Sequence, residues 1–179
     1  MSLSKKQSGV LKGMAAAMLT SIIVILLAIT FDPLNYSLIS QSSERLTVLG
    51  ISLILPTLFL IASIGRLAKF RFFSPEDIDG SGLTSATNEA LILQSLLQNT
   101  LEQFVITFAV YTAWALLMPS AWLSVVPLCS VLFAMGRIAF FKGYSGGAPA
   151  RAFGFALTFY STVLMFLVLL GYQLTIAIS

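Results

Sequence analysis

The sequence predicts an all-α protein, a polytopic transmembrane helix bundle. The first observation is composition: 58% of the 179 residues are hydrophobic and 9% are charged, whereas soluble domains carry about 25% charged residues. The second is distribution, because the apolar residues form five blocks, each long enough to cross a hydrocarbon core of about 30 Å as a helix. The blocks are residues 11–31, 46–65, 91–118, 122–141 and 152–178.

Three lysines, at positions 5, 6 and 12, lie before or at the start of the first block. Such lysines are typical of a helix whose N-terminus stays in the cytoplasm. A cleaved signal peptide is the alternative, but the apolar part is long and residues 31–33, Phe-Asp-Pro, do not resemble a cleavage site. Residues 1–45 are therefore predicted to hold a cytoplasmic tail, an extra transmembrane helix and an outside loop.

The second block and the loop after it help to set the expected orientation. Of the ten lysines and arginines, nine lie on or near one side of a five-span arrangement, and only Arg45 falls in a loop on the other. The positive-inside rule then predicts a cytoplasmic N-terminus and an outside C-terminus. Within the long cytoplasmic loop, residues 69–89, the stretch FSPEDIDGSG predicts a turn followed by a flexible linker. The expected membrane is the bacterial inner membrane, because no lipidation or retrieval signal is seen.

The third block carries a polar stripe that is unusual for a lipid-facing helix. Ser95, Asn99 and Glu102 share one helical face. A lone carboxylate about 16 Å into the helix costs on the order of 3 kcal/mol or more. We therefore expect Glu102 to pair with Arg137 of the fourth block, with Asn99 bonded to the pair. The alternative is that the cluster only holds helices together.

The connection between the fourth and fifth blocks is RIAFFKGYSGGAPAR, residues 137–151. Its glycines permit close backbone approach, and the arginines at its two ends offer forked donors for carboxylates. Tyr144 adds a phenol, and Pro149 marks the start of the last helix. An ordinary positively charged cytoplasmic loop is the alternative.

Other chemistry is restricted by residue types. The chain has no histidine, which excludes serine–histidine and cysteine–histidine catalysis and most zinc or haem sites. No metal site and no nucleic-acid partner are expected. Cys129 is expected to be a small buried apolar residue. The five blocks lack a GxxxG motif, so we expect helix packing to rest on other small residues, such as Ala134 and Gly136 or Gly154 and Ala156.

The pattern N-x-x-E in one helix, followed by R…GY…P-x-R around the next cytoplasmic turn, resembles the MAPEG family, the membrane-associated proteins in eicosanoid and glutathione metabolism. The basic stretch GRLAKFRFFSP, residues 65–75, adds to the resemblance, which covers residues 46–178. The matching residues are Asn99, Glu102, Arg137, Tyr144, Pro149 and Arg151.

The resemblance implies a MAPEG-like four-helix core in residues 46–179, preceded by one extra N-terminal transmembrane helix, and assembly as a homotrimer. It implies a glutathione transferase or peroxidase that conjugates or reduces lipophilic electrophiles arriving from membrane lipid. Glutathione, the co-substrate, would bind between protomers towards the cytoplasmic side. The implied glutathione-binding residues are Asn99, Glu102, Arg137, Tyr144 and Arg66, and the implied catalytic residue is Arg151, which stabilises the thiolate.

Three positions depart from glutathione-using relatives. Ser95 stands where relatives often have arginine, and Gln103 and Phe140 stand where they often have tyrosine. These losses favour a second hypothesis, a non-catalytic lipid-binding or partner-binding protein on the same scaffold. A third is a small transporter or channel in which Glu102 is a proton or ion site; the absence of an inverted repeat argues against it.

Overall fold

The computed structural model describes residues 3–80, 82–83 and 85–178. These residues form five long helices, each long and apolar enough to cross a membrane, so the predicted all-α bundle is confirmed. Ser81, in the predicted flexible linker, lies outside the described residues. The helices are α1 (Lys5–Phe31), α2 (Ser42–Phe73), α3 (Asn88–Leu117), α4 (Val125–Gly143) and α5 (Ala148–Ile178).

Helix α2 extends well past its apolar block because its polar end is still a good helix former. Residues 66–69 are Arg-Leu-Ala-Lys, all of them strong helix formers, and long basic side chains reach water from a helix end. Helix α1 likewise begins before its block, at Lys5. There Ser4 accepts from the Gln7 N–H, and the Gln7 side chain accepts from the Ser4 N–H, a reciprocal cap that satisfies two free backbone donors.

The helices pack in a simple order. Helix α2 packs on α3 and α4, α4 packs on α5, and α1 lies along α5. At the α4–α5 crossing, a Cβ on Gly136 would come within 2.9 Å of the Gly154 carbonyl oxygen. This confirms the expected packing through Gly136 and Gly154. The expectation that no GxxxG lies in a span is wrong, because α1 starts early enough to include Gly9 and Gly13.

An apolar core fills the end of the bundle where α3 ends and α4 begins. Tyr111, Trp114, Cys129 and Met165 are all fully buried there. The burial predicted for Cys129 is thus confirmed. At the surface of this end, Arg45 reaches from α2 to the C-terminus of α3. Its Nε donates to the Ala115 carbonyl at 2.7 Å and its Nη1 to Ser120 Oγ at 2.9 Å, while Nη2 donates to the Met118 carbonyl.

The loop between α2 and α3 is fixed by one carboxylate. The predicted turn is present, and Asp77 within it is only 1% exposed. Asp77 accepts from the Thr87 N–H at 3.0 Å, from the Thr87 hydroxyl at 2.7 Å and from the Ser74 hydroxyl at 2.9 Å. The bonds from Thr87, led by its backbone N–H, lower the pKa of Asp77 below its ordinary 3.8. Thr87 also caps α3 by accepting from the Ala90 N–H.

Candidate functional site

A cavity of about 420 Å³ lies at the end of the bundle where α4 turns into α5. We call it the Arg151 cavity. Its volume falls in the range of small-molecule sites, about 300–1,000 Å³. Four polar side chains line it: Ser95, Asn99, Tyr144 and Arg151. The rest of its wall is apolar and consists of Val10, Met14, Phe140, Ala148, Ala152 and Phe155.

Arg151 lies in the first turns of α5 and is partly exposed. The chain reverses at Gly147, whose φ of +82° suits glycine. This reversal places the Arg151 guanidinium 4.5 Å from the centre of the Tyr144 ring, a cation–π distance. Within the described residues the guanidinium makes no hydrogen bond and no ion pair. Its donors are therefore available to an anion in the cavity.

Arg137 is fully buried and joins three helices. Its Nη1 donates to Asn99 Oδ1 of α3 at 2.8 Å, and its Nη2 donates to Thr158 Oγ1 of α5 at 2.6 Å. The guanidinium also lies 4.7 Å from the centre of the Phe140 ring. The expected bond between Arg137 and Asn99 is confirmed. Because it occupies the Asn99 oxygen, the amide N–H₂ group of Asn99 is the part left to donate to a ligand.

The expected ion pair between Glu102 and Arg137 is wrong. Glu102 is exposed, and its Oε1 accepts from Gln98 Nε2 at 2.9 Å. Three residues after Asn99, Glu102 lies about 60° further around the helix, on the side away from the buried stripe. That stripe of α3 runs through Leu96, Thr100, Gln103, Thr107 and Tyr111.

Arg66 is exposed and lines a different cavity, of about 380 Å³, between α2 and the start of α3. Its guanidinium lies 5.5 Å from the centre of the Phe141 ring, and Lys69 and Glu89 line the same space. Within one chain the fold thus brings together Asn99, Tyr144 and Arg151, with Arg137 behind Asn99. It places Glu102 and Arg66 outside this group.

Sequence reasoning missed three residues around the site. Val10 and Met14 of α1 line the Arg151 cavity, but the family resemblance does not cover α1. Thr158 is the second hydrogen-bond partner of Arg137. The sequence feature that could have revealed it is a hydroxyl side chain four residues after Gly154 in an otherwise apolar helix. Two of the noted departures, Ser95 and Phe140, are part of the cavity wall.

Comparison with known proteins gives one positive result. The MAPEG family model matches residues 46–171, which run from α2 through most of α5. The match includes each predicted site residue and leaves α1 outside. No curated protein and no solved structure matches the chain. The chain belongs to the MAPEG family of membrane proteins, with one transmembrane-length helix before the family domain.

Proposed function

We propose that this protein is a membrane-embedded glutathione transferase or peroxidase acting on lipophilic electrophiles. The observation that carries the proposal is the free guanidinium of Arg151 in the wall of a mostly apolar cavity. A cationic donor beside apolar walls suits an anionic sulfur that meets a lipophilic molecule. The Asn99 amide and the Tyr144 phenol, in the same wall, add donors for the rest of the tripeptide.

The chemistry needs a thiolate, because the ordinary thiol of pKa about 8.5 is mostly protonated at neutral pH. A guanidinium beside the sulfur favours the anion and lowers this pKa. The thiolate attacks the electrophilic carbon, a carbon–sulfur bond forms, and the leaving group departs with the bonding electrons. With a hydroperoxide, the thiolate takes the terminal oxygen and the alcohol is released after protonation. A second glutathione then forms the disulfide and water leaves. Neither route needs a histidine base.

The residues in the cavity wall that differ from those of glutathione-using relatives lower the expected affinity for glutathione. Ser95 and Phe140 remove two donors that relatives often use for glutathione, and a hydrogen bond to a charged group contributes about 1.5–3 kcal/mol. We therefore expect glutathione to bind in the low-millimolar range. Arg137 contributes indirectly, because it holds the Asn99 oxygen and so orients the amide donors towards the cavity.

We further propose a homotrimer in which glutathione binds between protomers. Glu102 and Arg66 are exposed and lie outside the Arg151 cavity of their own chain. A site at the junction of two chains allows a neighbouring copy to supply them. The positive-inside rule supports a cytoplasmic Arg151 end, since Arg45 is the sole basic residue at the opposite end of the described structure.

The test is glutathione binding by calorimetry, together with the initial rate of conjugation to an aryl halide, on purified protein in detergent. Arg151→Gln removes the proposed thiolate partner. Lys142→Gln is the matched control, because Lys142 is an exposed cation near the same end that does not line the cavity. We expect Arg151→Gln to lower affinity at least tenfold and Lys142→Gln to change it less than twofold. A folded wild type that binds no glutathione would overturn the proposal.

A non-catalytic lipid-binding protein is the second candidate, and one observation favours it. The rings of Phe140 and Tyr144 make an edge-to-face contact with their centres 5.5 Å apart, and the Phe140 ring also lies near that of Phe155. This aromatic group makes one side of the cavity well suited to an acyl chain. In that case the folded wild type would bind a fluorescent fatty acid with no competition from glutathione.

A further inference from the structure

Helix α1 lies outside the family match, yet it is seated closely on the part of α5 that carries Arg151. A Cβ on Gly9 would lie 2.9 Å from Pro149 Cβ, and a Cβ on Gly13 would lie 3.0 Å from the backbone nitrogen of Phe153. Glycines four residues apart let two transmembrane helices approach to backbone contact. Larger residues at either position would push α1 away from the first turns of α5.

The same pattern of small residues continues along α1. Ala17, Ser21 and Ala28 are each fully buried, and α5 is the element that α1 contacts most. Close packing of α1 against α5 at Gly9 and Gly13 fixes how the start of α1 sits against the start of α5. As a consequence, the side chains that follow the two glycines, Val10 and Met14, are held at the edge of the Arg151 cavity.

Val10 and Met14 also border a second space. A groove of about 370 Å³ lies on their other side, between α1 and the start of α5, with Leu3 and Leu11 in its wall and Lys6 and Gln7 towards its outer end. Together with Ala148, the two side chains line both spaces. They therefore stand between the cavity that holds Arg151 and an apolar groove leading away from it.

We infer that Val10 and Met14 form a partition that sets the length of the linear lipophilic tail accepted beside Arg151. This inference rests on the proposed function. Phe155, Ala152 and Met14 all line the cavity that holds Arg151, so a tail attached to a reacting carbon near Arg151 would lie among them. The groove on the other side of the partition is lined mainly by apolar side chains, and a longer tail would have to pass Val10 and Met14 to enter it. The substrate class is thus short or medium-chain electrophiles, with long chains excluded.

The test uses a homologous series of S-alkyl glutathiones, from methyl through hexyl to decyl, with affinity measured by calorimetry. Each methylene that enters an apolar site raises affinity about fourfold. In the wild type we expect affinity to rise with chain length and then to level off before decyl. In Met14→Ala we expect it to keep rising, so that the decyl compound binds at least tenfold better than to wild type. Met14→Phe should level off earlier, and opposite shifts from one position are not produced by a general loss of stability.

Leu19→Ala is the matched control, since Leu19 is on the same helix, 60% exposed and outside both spaces. It should leave the chain-length profile unchanged, and Leu19→Ala should bind the methyl compound as wild type does. Identical profiles in wild type, Met14→Ala and Leu19→Ala, with glutathione still bound, would overturn the partition and leave the proposed function standing. Failure of the wild type to bind glutathione and every S-alkyl derivative would overturn both.

Discussion

Arg45 and Arg151 lie at opposite ends of the same bundle and differ in how their charge is used. Arg45 donates three hydrogen bonds to carbonyl and hydroxyl oxygens around the end of α3. The Arg151 guanidinium donates none to the described residues and lines a cavity. The orphan carbonyls of a helix C-terminus attract a cation, so Arg45 is a structural cap. The guanidinium of Arg151, with free donors beside apolar walls, is the group that we propose binds the ligand.

Arg137 is the intermediate case. It is fully buried and has two side-chain partners, so its charge is used within the protein. One of those partners, Asn99, is itself part of the cavity wall. The comparison teaches that arginines in one short sequence must be sorted by their partners, because their positions near helix ends do not separate them.

The largest effect should come from removing the Arg45 cap. Arg45→Met loses three hydrogen bonds to the end of α3, and we expect the free energy of unfolding to fall by about 3 kcal/mol. Equilibrium unfolding in mixed micelles measures this. Arg45→Lys should recover part of the loss, and glutathione affinity of the folded variants should match wild type. A loss below about 0.5 kcal/mol would show that the cap contributes little.

The next prediction compares substitutions at Asn99 and at Arg137, the two partners of the buried hydrogen bond. Asn99→Leu leaves Arg137 buried with a donor unsatisfied, which costs about 1–3 kcal/mol or more for a charged group. Arg137→Met removes the charge and fills similar space with an apolar chain, which is much less costly. We therefore expect Asn99→Leu to be the more destabilising of the two in the same unfolding assay. The reverse order would mean that the charge of Arg137 itself stabilises the fold.

The fold could be predicted from the sequence because its signals are long and redundant. Five apolar blocks gave the five helices, and Pro149 marked the start of α5 within one residue. The ends of the helices were harder to predict than their existence. Residues 65–73 continue α2 beyond its apolar block, because the segment still contains good helix formers although it is no longer uniformly apolar. Local capping, as by Ser4 and Thr87, is decided by single hydrogen bonds that no hydropathy pattern displays.

The candidate site could be predicted in part. The contact between Asn99 and Arg137 followed from helix order, and Tyr144 meets Arg151 because they flank one tight turn. The pairing of Glu102 with Arg137 failed because Asn99, about 60° around α3 from Glu102, is the residue that meets Arg137, while the Glu102 carboxylate accepts from Gln98 of its own helix. The contribution of α1 to the cavity wall depends on which helix α1 packs against, and this cannot be predicted from the residues of α1 alone.

A smaller, local effect concerns the loop that connects α2 and α3. Because folding lowers the pKa of Asp77 below 3.8, its contribution is complete above that pH and is lost as the pH falls through the folded value. Below pH 3.8 we expect the Thr87 amide to lose protection, which means that it exchanges faster relative to the intrinsic rate at the same pH. Asp77→Asn should show fast exchange at neutral pH and no further titration. Equal exchange in both proteins at neutral pH would rule out this role.

The smallest expected effect is on stability at the Arg151 position. Arg151→Gln breaks no hydrogen bond to a described residue and loses the cation–π contact with Tyr144, so the free energy of unfolding should fall by no more than about 1 kcal/mol. Arg45→Gln, the same substitution at the other end, serves as the comparison and should approach the loss expected for Arg45→Met. Equal losses at the two positions would remove the distinction between a cap and a binding group.

The most direct test of the central claim is the ultraviolet difference absorbance of the glutathione thiolate, with protein minus without protein, titrated against pH at a glutathione concentration that saturates the protein. If Arg151 stabilises the sulfur anion, the pKa of bound glutathione lies at least one unit below the ordinary value of about 8.5 in wild type. It returns towards that value in Arg151→Gln at saturating glutathione and stays low in Lys142→Gln. Bound glutathione with an unshifted pKa in wild type would contradict the account.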